Sequence, residues 1–259
     1  MAKYRSKALA EKRKKNLIIN SIFIIAFLVS VNYLLSEISK IKKINISEIN
    51  IKNNITVKTE EIEKIISSDI EGNYFWKFYS KRNILLYPKQ NIKENLLTKY
   101  SEIKTVDLNL DLPNTLNIFI EEYKPYALWC GEDCYFIDNT GYIFKKTIKN
   151  ENLFKYNINL NTKHLDYERN RVFKEEKFKE IDSFVQLIKG LNLSPEKIVS
   201  EDNKKYEIYF NNGSKVIFTN EQNTRELMDN FQAILNLEDF DIKSVEYVDL
   251  RFGNKVFYK

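Results

Sequence analysis

Asn16 to Ser36 form a run of twenty-one residues without a charged side chain, and seven Lys or Arg residues stand in the fifteen positions before it. No other feature constrains the chain so tightly, because a stretch of this length and polarity has few stable environments. Its apolar core, Leu17 to Leu35, is nineteen residues long. At about 1.5 Å rise per residue, such a helix spans a hydrocarbon layer of roughly 30 Å. Secretory leaders have shorter apolar cores, about 7–15 residues, followed by a small-x-small cleavage site; no such site follows here. Residues 16–36 therefore read as an uncleaved transmembrane signal anchor.

Orientation follows from the basic residues. Lys3, Arg5, Lys7, Lys12, Arg13, Lys14 and Lys15 precede the span, against Lys40, Lys42 and Lys43 just after it. The excess stays on the cytoplasmic side, which makes residues 1–15 a basic cytoplasmic tail and places everything after a short juxtamembrane linker, 37–43, outside the cytoplasm. The same residues account for the formal net charge of +5, because from residue 37 onward 34 Lys and Arg face 35 Asp and Glu. The positive charge is thus a topology signal and a contact for anionic lipid. It gives no ground for a nucleic-acid partner.

The 223 residues after the span have room for two domains of ordinary size. Of the 35 aromatic residues only Tyr4, Phe23, Phe27 and Tyr33 precede residue 37, so the exported part has the side chains to build cores rather than a disordered stalk. With 6 Gly and 4 Pro, no flexible linker of that composition is present.

From Ile44 to Ile51 the isoleucines alternate at close to strand period. Glu60 to Ser67 reads as a helix, with Thr59 as its cap, two acids in its first turn, and Ile62, Ile65 and Ile66 on one face. A connecting stretch, Gly72 to Pro88, holds Phe75, Trp76 and Phe78, expected to pack against the neighbouring helices rather than to line a ligand pocket. A second helix over Gln90–Lys99 and two strands, Ile103–Leu110 and Leu116–Glu122, complete a β-α-α-β-β order. After Pro125 the pattern changes to hairpins. Tyr135–Ile137 and Tyr142–Phe144 flank Asp138-Asn139-Thr140-Gly141, and Tyr206–Phe210 and Lys215–Thr219 flank Asn211-Asn212-Gly213-Ser214. Helices are predicted over Lys177–Leu191 and Asn223–Asn236, and the chain closes with strands Val245–Phe252 and Val256–Tyr258. Lys145–Phe173 is charged and irregular, with one strand near Phe154–Leu160.

A basic tail, one span, such a β-α-α-β-β module and a strand-rich domain, in that order, resemble the FtsQ/DivIB family of bacterial cell-division proteins. Local words match as well. Asp111-Leu112-Pro113-Asn114-Thr115-Leu116 followed by Glu122-Tyr123-Lys124-Pro125 resembles the family's "P-x-x-L … E-R-x-P" passage, with Tyr123 where the family usually has Arg. Phe136 to Phe144 resembles its "V-D-x-x-G-x-V-F" hairpin, and Val248-Asp249-Leu250-Arg251-Phe252 its terminal "I-D-L-R-F" strand. The resemblance implies an α+β chain with an N-terminal transmembrane helix. A POTRA module over 44–124 and a mostly antiparallel β-sheet domain with flanking helices over 125–259 then follow.

Little in the sequence suggests catalysis. His164 is the only histidine and stands in no motif, so a structural or solvated histidine fits better than a general base. The ligand set for zinc is absent, as are Gly-rich phosphate loops and nucleophile elbows. Neighbouring acids such as Glu121-Glu122 would face opposite sides of a strand. Cys130 and Cys134, outside the cytoplasm, leave open a structural disulfide, two unpaired thiols or a redox pair; the C-x-x-x-C spacing suits a staple best.

The expected function is therefore a non-catalytic one, with no cofactor, metal or small-molecule substrate. The resemblance implies a divisome scaffold at the division septum that recruits and holds bitopic coiled-coil division proteins of the FtsB/FtsL/DivIC type. It links the cytoskeletal ring to septal wall synthesis. It further implies that a partner segment adds as a β-strand at the C-terminal edge, where Tyr247, Asp249, Arg251, Phe252, Phe257 and Tyr258 are the candidate partner-binding residues. The alternatives from other classes are an extracytoplasmic polypeptide-transport or secretion adaptor carrying a POTRA module, and a membrane-anchored thiol oxidoreductase.

Overall fold

The computed structural model describes residues 2–147, 152–159, 167–219 and 221–259, which form two compact units divided after Glu122. In the first unit the uncharged run lies within one uninterrupted helix, α1 (Ala2–Ser39), long and apolar enough to cross a membrane from Leu9 to Ser39. A single 3-10 turn, Lys42–Ile44, leads to β1 (Glu48–Lys52), α2 (Thr59–Asp69), the two short strands β2 (Asn73–Tyr74) and β3 (Tyr79–Ser80), α3 (Lys89–Lys99), β4 (Ile103–Asp111) and β5 (Thr115–Glu122). The sheet order is β1-β5-β4, with β5 antiparallel to β4 and parallel to β1. Isoleucine and leucine at helical spacing, Ile62 and Ile66 on α2 and Ile92 and Leu96 on α3, bury their side chains against Val106, Leu108, Ile118 and Ile120 of the sheet. Burying a side chain of this size stabilises by roughly 1.5–3 kcal/mol before entropy is counted.

Three expectations for this unit need correction. The first strand begins at Glu48, because the Ile44 end of the alternating run is taken into the 3-10 turn. The helix cap is Lys58, which makes no side-chain capping bond; Thr59 is the first helical residue, and its Oγ1 accepts from Asn54 Nδ2 at 3.0 Å. Phe75, Trp76 and Phe78 do not pack against the helices of the module. They occupy the tip of the β2–β3 hairpin, 79%, 96% and 49% exposed.

Glu121 and Glu122 do face opposite ways, and only Glu122 is buried. Its carboxylate accepts the backbone N–H groups of Ile55 at 2.9 Å, Thr56 at 2.8 Å and Val57 at 3.2 Å, and so fastens the β1–α2 loop to the end of β5. Burial opposes its ionisation, but these donors outweigh burial and hold its pKa below the usual carboxylate range.

The second unit contains a nine-stranded sheet among the described residues. In chain order its elements are β6 (Ala127–Cys130), β7 (Cys134–Ile137), β8 (Ile143–Thr147), β9 (Lys155–Ile158), α4 (Glu175–Gly190), β10 (Pro195–Ser200), β11 (Lys205–Phe210), β12 (Lys215–Thr219), α5 (Thr224–Leu235), β13 (Tyr247–Phe252) and β14 (Lys255–Tyr258). The spatial order is β14-β13-β12-β11-β10-β9-β6-β7-β8. Consecutive strands pair antiparallel through tight turns, while β9 runs parallel to β6 and β10, and β12 parallel to β13. The amphipathic faces of α4 and α5 meet the sheet, with the Phe184 ring 5.2 Å from Phe218 and 5.8 Å from Phe231. Asn223 caps α5 by accepting the Arg225 N–H.

In the β7–β8 turn, Asp138 Oδ1 accepts from the Thr140 and Tyr142 N–H groups, and Gly141 adopts φ +76°. A Cβ there would stand 2.6 Å from the Phe178 ring, so both backbone and space demand glycine at this position. The strand expected near Phe154–Leu160 is β9, although Leu160 lies outside the described residues, as does His164.

Candidate partner-binding edge

The last hairpin of the sheet places β13 between β12 and β14, so at this end of the sheet β14 has a free edge among the described residues. Gly253, with φ +62°, turns the chain between them, and Asn230 Nδ2 of α5 donates to its carbonyl at 2.7 Å. Tyr247 and Lys259 exchange backbone bonds, and Asp249 lies opposite Phe257. Antiparallel pairs alternate between bonded and non-bonded. Phe257 therefore turns its N–H and C=O inward, and Val256 and Tyr258 point theirs away from the sheet. Those outward groups are what a further strand would pair with.

Side chains flank this edge on both faces. A register shift between Asp249 and Phe252 interrupts the alternation of β13. Phe252 consequently does not follow Val248 and Leu250 into the core; it is 53% exposed, and its ring meets that of Phe257 edge-on at 5.2 Å. The Arg251 guanidinium stands 5.5 Å from the Phe252 ring centre. Opposite Val248 lies Tyr258, half exposed, its ring edge-on to Phe240 at 5.3 Å. Tyr247 is partly buried at the start of the strand.

Asp249 departs from the solvent-facing position that alternation suggests, because it is only 5% exposed. It accepts from Arg251 Nε at 2.9 Å and Nη2 at 2.6 Å, and from the Arg251 backbone N–H at 3.1 Å. Burial works against its charge, but these bonds and the guanidinium outweigh burial and keep its pKa low; the same bond to Asp249 raises that of Arg251. The carboxylate thus acts on the outer surface through Arg251, which it orients. Two strands away, on β11, Glu207 is similarly held, its pKa brought down to about 2 against the cost of burial by bonds from Lys205, Tyr209 and Lys215.

Sequence reasoning found the aromatic residues of the edge but missed the residues that position it. Gln222 Nε2 donates to the Leu250 carbonyl at 2.5 Å while its Oε1 accepts from Thr219, closing the end of β13 where its pairing with β12 stops. Nothing local marks Gln222 or Asn230, since their partners lie 28 and 23 residues away.

Elsewhere in the unit, Trp129 faces Tyr135 across the β6–β7 hairpin, and Cys130 and Cys134 close it as a disulfide with Cα atoms 4.1 Å apart. Among the described residues no group of three or more His, Cys, Asp or Glu side chains could hold a metal ion.

Residues 44–123 match the FtsQ-type POTRA domain, and residues 127–251 match the C-terminal domain of the cell-division protein FtsQ/DivIB. Among curated proteins, none matches the chain. The two domain matches run almost end to end behind the apolar helix α1. They support a role in cell division, with other division proteins as partners in general. The chain belongs to the FtsQ/DivIB family of cell-division proteins.

Proposed function

We propose that this protein is a non-catalytic scaffold of the divisome: it sits at the septum with residues 1–15 in the cytoplasm and both folded units outside, and it captures a bitopic coiled-coil division protein by β-strand addition to β14. The proposed organisation is the tail, the 16–36 span, a 37–43 linker, the POTRA module over 44–124 and the strand-rich domain over 125–259. The observation that carries this reading is the unpaired edge itself. Val256 and Tyr258 offer outward backbone donors and acceptors, while Phe252 and Phe257 on one face and Tyr258 on the other supply contacts for alternate side chains of an incoming strand. Arg251, fixed by Asp249, adds directed positive charge beside them, and Tyr247 borders the same edge. The Cys130–Cys134 bond serves as a local staple of the β6–β7 hairpin and takes no part in redox chemistry.

Replacing Tyr258 by Pro removes an outward N–H while Phe257 keeps its pairing with Asp249. Pull-down of FtsB/FtsL/DivIC-type partners by the full-length membrane protein should then fail, as it should after deletion of residues 253–259. Septal localisation of a fluorescent fusion is expected in both variants if localisation precedes capture of these partners. Retained pull-down in Tyr258→Pro would eliminate strand addition at β14.

A further inference from the structure

The β2–β3 hairpin is fastened to α1 along its last turns, and the direction of the bonds is informative. Ser80 N–H donates to Ser39 Oγ at 3.2 Å, the Phe78 carbonyl accepts from Ser36 Oγ at 2.7 Å, and the Tyr79 hydroxyl donates to Asn32 Oδ1 at 2.9 Å. Moving from Ser80 toward the tip therefore means moving back along α1, into the uncharged run. Beyond these bonds Phe75 and Phe78 form an open apolar cleft of about 530 Å³ with Ile25, Leu28, Val29 and Tyr33. Ile25 lies eleven residues before Ser36, or roughly 16 Å along the helix at about 1.5 Å per residue. The hairpin tip is thus level with the outer half of the span.

We infer that the Phe75-Trp76-Lys77-Phe78 tip is seated in the extracytoplasmic leaflet, among the upper acyl chains below the headgroups, with an acyl chain filling the cleft beside α1. This inference rests on α1 being a transmembrane span. Three observations single out lipid as the occupant. The cleft is continuous with helix surface that already faces acyl chains when α1 crosses a bilayer. Trp76, 96% exposed, is an aromatic of the kind enriched at membrane interfaces, with Tyr33 on the adjoining helix. Asn32, a polar residue near the end of the apolar run, has its side chain satisfied at that depth by Tyr79 and by the Leu28 carbonyl at 3.0 Å. Phe75 and Trp76 hold φ of +48° and +67°, a conformation costly to L-residues, at the point that presents their rings outward. Lys77 at the tip has a stem long enough to carry its charge up to the headgroups. The hairpin is then a second membrane contact that fixes how the module stands over the bilayer.

The test uses full-length protein in phosphatidylethanolamine/phosphatidylglycerol nanodiscs, one copy per disc, with lipids brominated at shallow or deep acyl positions. Trp129 is buried in the second unit and serves as an internal reference. Wild-type emission should be quenched most by shallow bromines, and Trp76→Phe should lose that quenching. A control places a tryptophan in the span by Phe23→Trp in the Trp76→Phe background. Quenching of the control without quenching of Trp76 overturns the seated tip while the span reading survives. Absence of both removes the span reading and the proposal together. Trp76 shielded from bromine and also from aqueous acrylamide would mean that protein covers the cleft, which equally overturns lipid as the occupant.

Discussion

Two patches of exposed aromatic side chains, one in each unit, look alike in composition and differ in their backbone. At the hairpin tip Phe75 and Trp76 are held in a closed turn whose return strand is bonded to α1. At the terminal edge Phe252, Phe257 and Tyr258 surround backbone groups that, among the described residues, have no strand beside them. Exposed aromatics alone therefore do not say what covers them. A turn with its backbone engaged suits a partner that offers only apolar surface, whereas a strand with open N–H and C=O groups suits one that brings its own ladder of bonds. Family membership gives the division role, and the two proposed counterparts, a partner strand and lipid, rest on this difference between the patches.

The strongest way to break this comparison is to exchange the perturbations. Tyr258→Pro should weaken partner binding by about 2–4 kcal/mol, roughly 30- to 1,000-fold in Kd, with brominated-lipid quenching of Trp76 unchanged. Trp76→Ser should do the reverse. If titration calorimetry found partner affinity equally sensitive to both, the two patches would be one surface and the distinction would collapse. A smaller effect is expected beneath the edge. Asp249→Ala leaves Arg251 without its buried acceptor and should destabilise the second unit by about 1–3 kcal/mol in urea unfolding. Binding should weaken less than in Tyr258→Pro, because the outward backbone of β14 remains.

How much of this was legible before the fold was known varies with sequence distance. The helices α4 and α5 were legible because their apolar residues repeat at helical spacing. The β7–β8 and β11–β12 hairpins were legible through Asp138 to Gly141 and through Asn212-Gly213. The strand β10 was missed, since Glu196 and Lys197 interrupt its apolar residues and its partner β9 is parallel and remote. Thr59 was misplaced by one residue, within the usual uncertainty of a helix end. The Phe75–Phe78 segment failed for a different reason. Composition predicts that such rings are buried, and only the bonds that tie the hairpin to Ser36, Ser39 and Asn32, some forty residues back, show which way they point. Asp249 was read from alternation, and its burial depends on the flanking strands, which periodicity cannot supply.

Next in magnitude comes pH, which separates the units by their buried carboxylates. Glu122 has a folded-state pKa below its unfolded value of about 4.3. Its contribution is therefore complete above that value and is lost as pH falls through the folded pKa. Glu122→Gln should cost the first unit about 1–2 kcal/mol at neutral pH and flatten its loss of stability below pH 4.5 or so. Thermal melts of the second unit, which relies on Asp249 and Glu207, should keep their acid dependence in this variant. Loss of acid dependence in both units would mean that they do not unfold independently.

The smallest effect expected is that of the disulfide. Cys130 and Cys134 are four residues apart and already face each other at the end of a paired hairpin. Joining them removes little freedom from the unfolded chain, about 2 kcal/mol at the upper limit of the chain-entropy account, and less where the hairpin forms without it. Replacing both by Ser should lower the melting temperature of the second unit by a few degrees, roughly what 1 kcal/mol is worth in a domain this size. Partner affinity and Trp76 quenching should both stay at wild-type values, because β6 and β7 lie at the far end of the strand order from β14. A division defect in this variant that survives restored stability would instead give the cysteines a chemical role and remove the staple reading.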